Sequence, residues 1–98
     1  MNRDRAINEL SSLAGEIRAR GAKSLFLYGS TSRDTATGTS DVDLFIDYDP
    51  DSHFSAFDLI DIKTTIEERL GSSVDLTTRD GLHPQLRDKI EREAIRVF

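Results

Sequence analysis

The sequence predicts an α/β fold in which a small mixed β-sheet is covered by helices. Segments with apolar residues at helical spacing alternate along the chain with short apolar runs that end in glycine or polar turns. The link between the first two apolar runs is too short for a full crossover helix, which favours antiparallel or mixed pairing there. The 98 residues contain no repeat, linker or low-complexity run. We therefore expect a single domain, residues 1–98, with a modest core.

Apolar residues at helical spacing predict three long helices. The first covers residues 3–20, and Gly21 follows its end. Its apolar positions are Ile7, Leu10, Leu13, Ala14 and Ile17. The second covers residues 54–70. Its predicted core residues are Phe57, Ile60 and Leu70. The last begins at Pro84, a residue suited to a first helical turn, and runs to about Ile95. Its apolar stripe is Leu86, Ile90 and Ala94.

Short apolar runs between these helices predict three strands. They are residues 24–28, 42–47 and 73–77. A short helical turn over residues 30–34 and a polar loop join the first strand to the second, and a turn over residues 48–52 follows the second. The predicted order is helix, strand, short helix, strand, helix, strand, helix.

The most informative motif joins the first two strands. Gly29 and Ser30 follow the first strand, and ten residues separate them from Asp41 and Asp43, which open the second. Gly29 allows positive φ and close approach of the backbone to a ligand. Ser30 can cap a short helix whose N-terminus offers free N–H groups to an anion. Arg33 could add a charge-assisted contact to phosphate. The motif predicts a phosphate-binding turn beside a pair of carboxylates.

The carboxylate pair follows from strand periodicity. Side chains alternate between the two faces of a strand, so Val42, Leu44 and Ile46 form an apolar core face. Asp41 and Asp43 project together from the opposite face, roughly 6–7 Å apart. Two uncompensated carboxylates at that separation repel by about 3 kcal/mol. A cation between them would remove this cost, and oxygen-only ligands suit Mg²⁺, which usually binds one or two carboxylates together with substrate phosphates.

Asp75 is the third candidate carboxylate. It alternates with Val74 and Leu76, so it points away from their core face. If this strand pairs beside the strand of Asp41 and Asp43, the three carboxylates meet on one side. Asp75 could then be a metal ligand or the general base for an incoming hydroxyl. Taken alone, it would be an ordinary exposed aspartate.

Bulk composition excludes several classes of protein. The sequence has no cysteine, which excludes disulfides and thiolate metal sites. It has no apolar stretch long enough to span a bilayer and no signal sequence, so we expect a cytoplasmic protein. The net charge of −5 gives no electrostatic footprint for general nucleic-acid binding. Such a surface suits a cation or a partner with a basic patch.

With these motifs in place, the chain resembles the minimal nucleotidyltransferases of the DNA polymerase β superfamily. The resemblance covers about residues 22–97. It rests on Gly29-Ser30, Asp41 and Asp43, Val74-Asp75-Leu76, and Gly81-Leu82-His83-Pro84. It implies the mixed sheet of the polymerase β-like fold, and transfer of AMP from ATP with Mg²⁺ to an acceptor hydroxyl.

The resemblance also implies roles for individual residues and a partner. Gly29 and Ser30 would hold the triphosphate, Asp41 and Asp43 would bind Mg²⁺, and Asp75 would match the third carboxylate. Small members of the family commonly act as antitoxins, placing AMP on a tyrosine of a HEPN-domain toxin (AMPylation). So small a domain would need that partner, or a second copy of itself, to complete the site, which implies a hetero- or homo-oligomer.

One departure from the family pattern lies beside the motif. The family usually has glycine after the residue that matches Arg33, and this chain has Asp34. Aspartate tolerates left-handed backbone, so the turn can survive, but its charge would lie near the expected phosphates.

Two alternative functions stay open from sequence alone. The chain could be a non-catalytic antitoxin that neutralises its partner by binding alone. It could also transfer the nucleotide to a small molecule or to an RNA end.

Overall fold

The structure is a computed structural model that describes residues 2–32 and 41–98, apart from the side chains of Ser30 and Thr31. Its helices are α1 (Arg3–Ser12), α2 (Ala14–Ala19), α3 (Gly29–Ser32), α4 (Ala56–Leu70) and α5 (Arg87–Glu93), with a 3₁₀ turn at Arg79–Gly81. Its strands are β1 (Ala22–Tyr28), β2 (Val42–Tyr48), β3 (Val74–Thr78) and β4 (Ile95–Arg96). No helix within these residues has the length and apolar character needed to cross a membrane.

The four strands form one mixed sheet in the order β3-β2-β1-β4. β1 pairs antiparallel with both β2 and β4, whereas β2 pairs parallel with β3. The mixed sheet and the antiparallel first pair are confirmed. The parallel pair is joined through α4, as parallel neighbours require.

One face of the sheet carries the main core. Val42, Leu44 and Ile46 are all buried on this face, which confirms the alternation predicted for the second strand. Residues from α1, α2, α4 and the link between α1 and α2 join the same cluster: Ala6, Leu10, Leu13, Ile17, Ile62, Ile66 and Leu70. Phe45 is also fully buried, but on the opposite face, where its ring stacks on Phe26 with centroids 4.7 Å apart.

The predicted first helix is interrupted. α1 ends at Ser12 and α2 starts at Ala14, with the buried Leu13 between them. The Ser12 hydroxyl donates to the Glu9 carbonyl at 2.6 Å, a local bond that competes with the helical ladder and bends helices. Gly21, with φ of 111°, follows the end of α2 as expected.

The predicted core face of the second long helix is wrong at two of its three residues. Phe57 is 80% exposed and Ile60 is 57% exposed, whereas Leu70 is buried. The buried stripe runs through Ile62, Ile66 and Leu70 at spacings of four residues. These three residues lie on one side of the helix, and Phe57 and Ile60 lie well away from them, because each residue advances by about 100°.

The predicted last helix is shorter at both ends. α5 starts at Arg87, after a turn that includes Pro84 and the half-exposed Leu86, and Ile95 belongs to β4. Ala94 already has extended backbone, at φ −65° and ψ 144°. The chain leaves the helix because the edge of β1 offers backbone partners: the Val97 N–H donates to the Leu25 carbonyl at 2.8 Å.

The corrected helix face makes a prediction about stability. Ile66→Ala should lower the free energy of unfolding by about 2–5 kcal/mol, because it empties a fully buried site. Phe57→Ala removes a larger side chain but should change stability by less than about 0.5 kcal/mol, since that ring faces solvent. Urea unfolding followed by circular dichroism measures both variants. Equal losses would contradict the face assigned here.

Candidate active site

The sheet register brings two predicted site residues together. In the parallel pair, Asp43 of β2 lies directly opposite Asp75 of β3. Neighbouring strands are about 4.8 Å apart, and residues in register point to the same face. The expectation that the third strand pairs beside the second, carrying Asp75 towards Asp43, is therefore met.

Gly29 lies against this pair at the end of β1. Its φ of 71° is in the left-handed region that favours glycine. A Cβ added at Gly29 would overlap Oδ2 of Asp43 and lie 3.2 Å from its Cγ. The Ser32 hydroxyl donates to the Gly29 carbonyl at 2.8 Å and closes the short turn of α3. Only glycine lets the turn approach the carboxylate this closely.

An open groove of about 400 Å³ runs past the two carboxylates. Its lining combines polar residues at the ends of the strands with apolar residues from α5 and the segment before it. The residues are Tyr28, Asp43, Asp75, Thr77, Gly81, Leu82, His83, Leu86 and Ile90. The groove is thus acidic on the sheet side and largely apolar on the α5 side.

The pKa of Tyr28 is sensitive to burial and to the negative charges in this groove. This residue ends β1 and lies opposite Asp43 in the antiparallel pair. Burial, with the negative charges of Asp43 and Asp75, raises the pKa of the Tyr28 phenol to about 12. Both terms disfavour the phenolate, since one removes water and the other adds like charge. The phenol therefore stays protonated, and the site favours positive over negative charge.

Of the remaining predicted site residues, the structure describes Asp41 but not Arg33 or the side chain of Ser30. Asp41 is exposed and directly precedes β2. Arg33, Asp34 and the side chain of Ser30 lie outside the described residues. Across residues 2–32 and 41–98, no three carboxylate or histidine side chains cluster tightly enough to hold one ion. The pair of Asp43 and Asp75 is the part of the predicted triad that the structure brings together.

Sequence reasoning missed Arg79, which lies at the other end of the same sheet face. Its guanidinium donates to both carboxylate oxygens of Asp47, at 2.7 and 2.9 Å, and to Glu91 of α5 at 3.0 Å. It also lies over the rings of Phe26 and Phe45, 4.9 and 5.0 Å from their centroids. One signal was available in the sequence. Strand alternation places Asp47 on the same face as Asp43 and Phe45, and a carboxylate that packs beside an apolar ring needs a cationic partner.

Gly29 and Gly71 have similar positive φ angles, so comparing their alanine variants distinguishes the cost of backbone strain from the cost of steric overlap. Gly71 has φ of 67° but nothing within 4 Å of an added Cβ, whereas Gly29 has φ of 71° and meets Asp43. Gly71→Ala should cost about 1–2 kcal/mol of folding free energy from the left-handed backbone alone. Gly29→Ala should cost more, or displace Asp43. Urea unfolding and the carboxylate signals in NMR spectra measure the difference. Equal effects would show that the overlap is relieved without consequence.

The Tyr28 phenol provides a direct readout of the carboxylates. The sequence has two tyrosines, so Tyr48→Phe leaves Tyr28 as the only one. In that background the phenol should titrate near pH 12, and adding Asp43→Asn should lower its pKa because one raising charge is lost. Tyrosinate absorbance measures the titration, with circular dichroism confirming the fold at each pH. An unchanged pKa in Asp43→Asn would contradict the placement of the two groups.

Comparison with known proteins agrees with this geometry. A family profile described as a nucleotidyltransferase domain matches residues 4–97. Two proteins of Methanocaldococcus jannaschii, both named as candidate protein adenylyltransferases, are similar to this chain. One is 36% identical over 78 residues, covering 80% of this chain and 82% of its own length. The other is 33% identical over 76 residues, covering 76% of each.

Solved structures share the fold over nearly the whole chain. One of a candidate minimal nucleotidyltransferase superposes with a TM-score of 0.84 at 28% identity, covering 97% of this chain and 95% of its own. A chain from a Shewanella oneidensis complex of tri-AMPylated HEPN toxin with MNT antitoxin gives a TM-score of 0.68 at 14% identity, covering 98% and 71%. At that identity the second likeness shows the fold alone. The chain belongs to the nucleotidyltransferase domain family, and it is an enzyme of the minimal nucleotidyltransferase type.

Proposed function

We propose that this protein transfers AMP from ATP, with Mg²⁺, to a tyrosine hydroxyl of a partner HEPN toxin, and so acts as its antitoxin. The observation that carries the proposal is the register of Asp43 and Asp75 beside the Gly29 turn. The partner is suggested by a structural neighbour that shares the fold: in the Shewanella oneidensis complex, an MNT antitoxin is bound to a tri-AMPylated HEPN toxin. Since ATP is the donor, the proposal places the reaction in the cytoplasm.

The donor set fits a magnesium ion. Asp43 and Asp75 supply hard oxygen atoms, the ligands that Mg²⁺ prefers, and Asp41 is near enough in sequence to add a third. Burial first, and then the charges of Asp43 and Asp75, raise the pKa of the Tyr28 phenol, and a cation would offset the part that comes from the two charges. When bound, the ion would neutralise charge that develops on the transferring phosphoryl group.

Two groups of residues would have different roles in the reaction, one holding the triphosphate and one accepting the proton of the acceptor. Gly29, with Ser30 and Arg33, would hold the triphosphate at the end of β1. The acceptor oxygen would form a bond to the α-phosphorus as the bond to pyrophosphate breaks. Asp75, exposed on β3, would accept the proton that the acceptor hydroxyl loses. Pyrophosphate leaves on the Gly29 side, opposite the incoming hydroxyl.

The labelling reaction tests this function. With ATP, Mg²⁺ and the proposed HEPN partner, the wild type should add AMP to the toxin, visible as a gain in intact mass. Asp43→Asn should slow the transfer more than a hundredfold, because a metal ligand worth several kcal/mol of transition-state stabilisation is lost. Chelation of Mg²⁺ should have the same effect.

A matched control and a cellular arm complete the test. Asp51→Asn makes the same change at an exposed site after the far end of β2 and should transfer AMP normally. Unchanged labelling by Asp43→Asn would contradict the assignment. Toxin neutralisation in cells by Asp43→Asn, without labelling, would instead favour an antitoxin that acts by binding alone.

A further inference from the structure

The helix that borders the groove is weakly anchored by apolar packing. α5 contains no buried residue, although Ile90 and the preceding Leu86 line the groove beside the carboxylates. α4, by comparison, buries three residues in the main core. The position of α5 therefore depends more than that of α4 on contacts other than the core.

Arg79, in the 3₁₀ turn that follows β3, supplies a contact of this kind. Its Nε and Nη2 hold Asp47 of β2 in a bidentate pair, and its Nη1 donates to Oε2 of Glu91 on α5 at 3.0 Å. The fork fixes the direction of the guanidinium, because both planar groups must lie in one plane. The Nη1 group, which takes no part in the fork, then points towards α5.

The surroundings of Arg79 strengthen this link beyond an ordinary surface ion pair. Its side chain is only 27% exposed, and it rests on the rings of Phe26 and Phe45. The pKa values of its two acidic partners, Asp47 and Glu91, are both lowered. The hydrogen bond from Arg79 lowers the pKa of Asp47, and hydrogen bonds from Arg87 and then Arg79 lower the pKa of Glu91. Arg87 also donates to Oε1 of Glu91 at 2.6 Å, so both oxygens of that carboxylate are engaged.

We propose that Arg79 is a positioning residue, which holds α5 against the sheet through Glu91 and thereby sets the width of the groove on the acceptor side. The part that concerns catalysis rests on the proposed function. The triphosphate would lie on the Gly29 side, so the apolar wall of Leu82, Leu86 and Ile90 is left to contact the acceptor. A displaced α5 should therefore weaken acceptor binding, and because α5 also packs against α3, which contains Gly29, it should weaken ATP binding to a smaller extent.

Glu91→Gln tests the proposal without disturbing the sheet. It weakens the link from Arg79 to α5 and also the Arg87–Glu91 pair within α5, whereas Arg79 keeps its contacts with Asp47 and the two rings. Arg87→Gln removes only the pair within the helix, so its exchange should rise less than that of Glu91→Gln. Asp88→Asn is the matched control, a carboxylate-to-amide change at an exposed position of the same helix. Hydrogen exchange should become about tenfold faster in α5 of Glu91→Gln, with β1 and β2 unchanged, as expected for loss of a charged hydrogen bond. Asp88→Asn should exchange like the wild type.

Kinetics distinguish a positioning role from a purely structural one. In Glu91→Gln the KM for the protein acceptor should rise about tenfold, and the Kd for ATP with Mg²⁺ should rise by a clearly smaller factor. Exchange in α5 of Glu91→Gln that equals that of Asp88→Asn, or that of Arg87→Gln, would overturn the link itself. Faster exchange with an unchanged acceptor KM would overturn the role in the reaction. If the wild type transfers no AMP, the proposed function fails, and the exchange measurement still decides whether Arg79 holds α5.

Discussion

The parallel register of β2 against β3 is the constraint on which both the fold and the site depend. A slip of one residue would turn every side chain of a strand to the opposite face. Val74 and Leu76 would then leave the core, and Asp75 would enter it. The apolar residues therefore fix the register, and the register places Asp75 opposite Asp43. Burial on one face of the sheet sets the geometry of the chemistry on the other.

The face opposite the core is divided along its length. At one end, Asp43 and Asp75 line the groove. Towards the other end, Phe45 is buried against the ring of Phe26 and the guanidinium of Arg79. Like charges directly opposite each other weaken a sheet, so the Asp43–Asp75 pair is a local conflict within an otherwise consistent strand pattern. Such conflicts are expected at functional sites. At the other end of this face, Asp47 and Glu91 are both ion-paired with Arg79.

Periodicity within a strand predicted more of this molecule than periodicity within a helix. Strand alternation in β2 and β3 correctly placed Asp43 and Asp75 opposite the core, because a period of two leaves only two faces. α4 carries apolar residues on several sides, and sequence alone favoured Phe57 and Ile60 over Ile62 and Ile66. Packing against the sheet decides between such sides, and that contact is not visible in a local window.

Contacts between distant residues account for the rest of what sequence could not give. β4 is a two-residue strand whose pairing depends on the free edge of β1. Arg79 lies 32 residues from Asp47 and 12 from Glu91, so no local pattern joins them. The Gly29 turn was recognisable as a motif, but the reason it must be glycine, the proximity of Asp43, appears only once the strands are paired.

The carboxylate pair also constrains any tyrosine that reacts here. Tyr28 is a phenol already inside the site, and burial with the charges of Asp43 and Asp75 holds its pKa near 12. A phenol is a better nucleophile as it loses its proton, so Tyr28 is suppressed as an acceptor by the residues that surround it. An incoming tyrosine would meet the same negative potential unless a cation compensates the pair. The two aspartates would thus make the reaction depend on the cation twice, once through the phosphate and once through the acceptor.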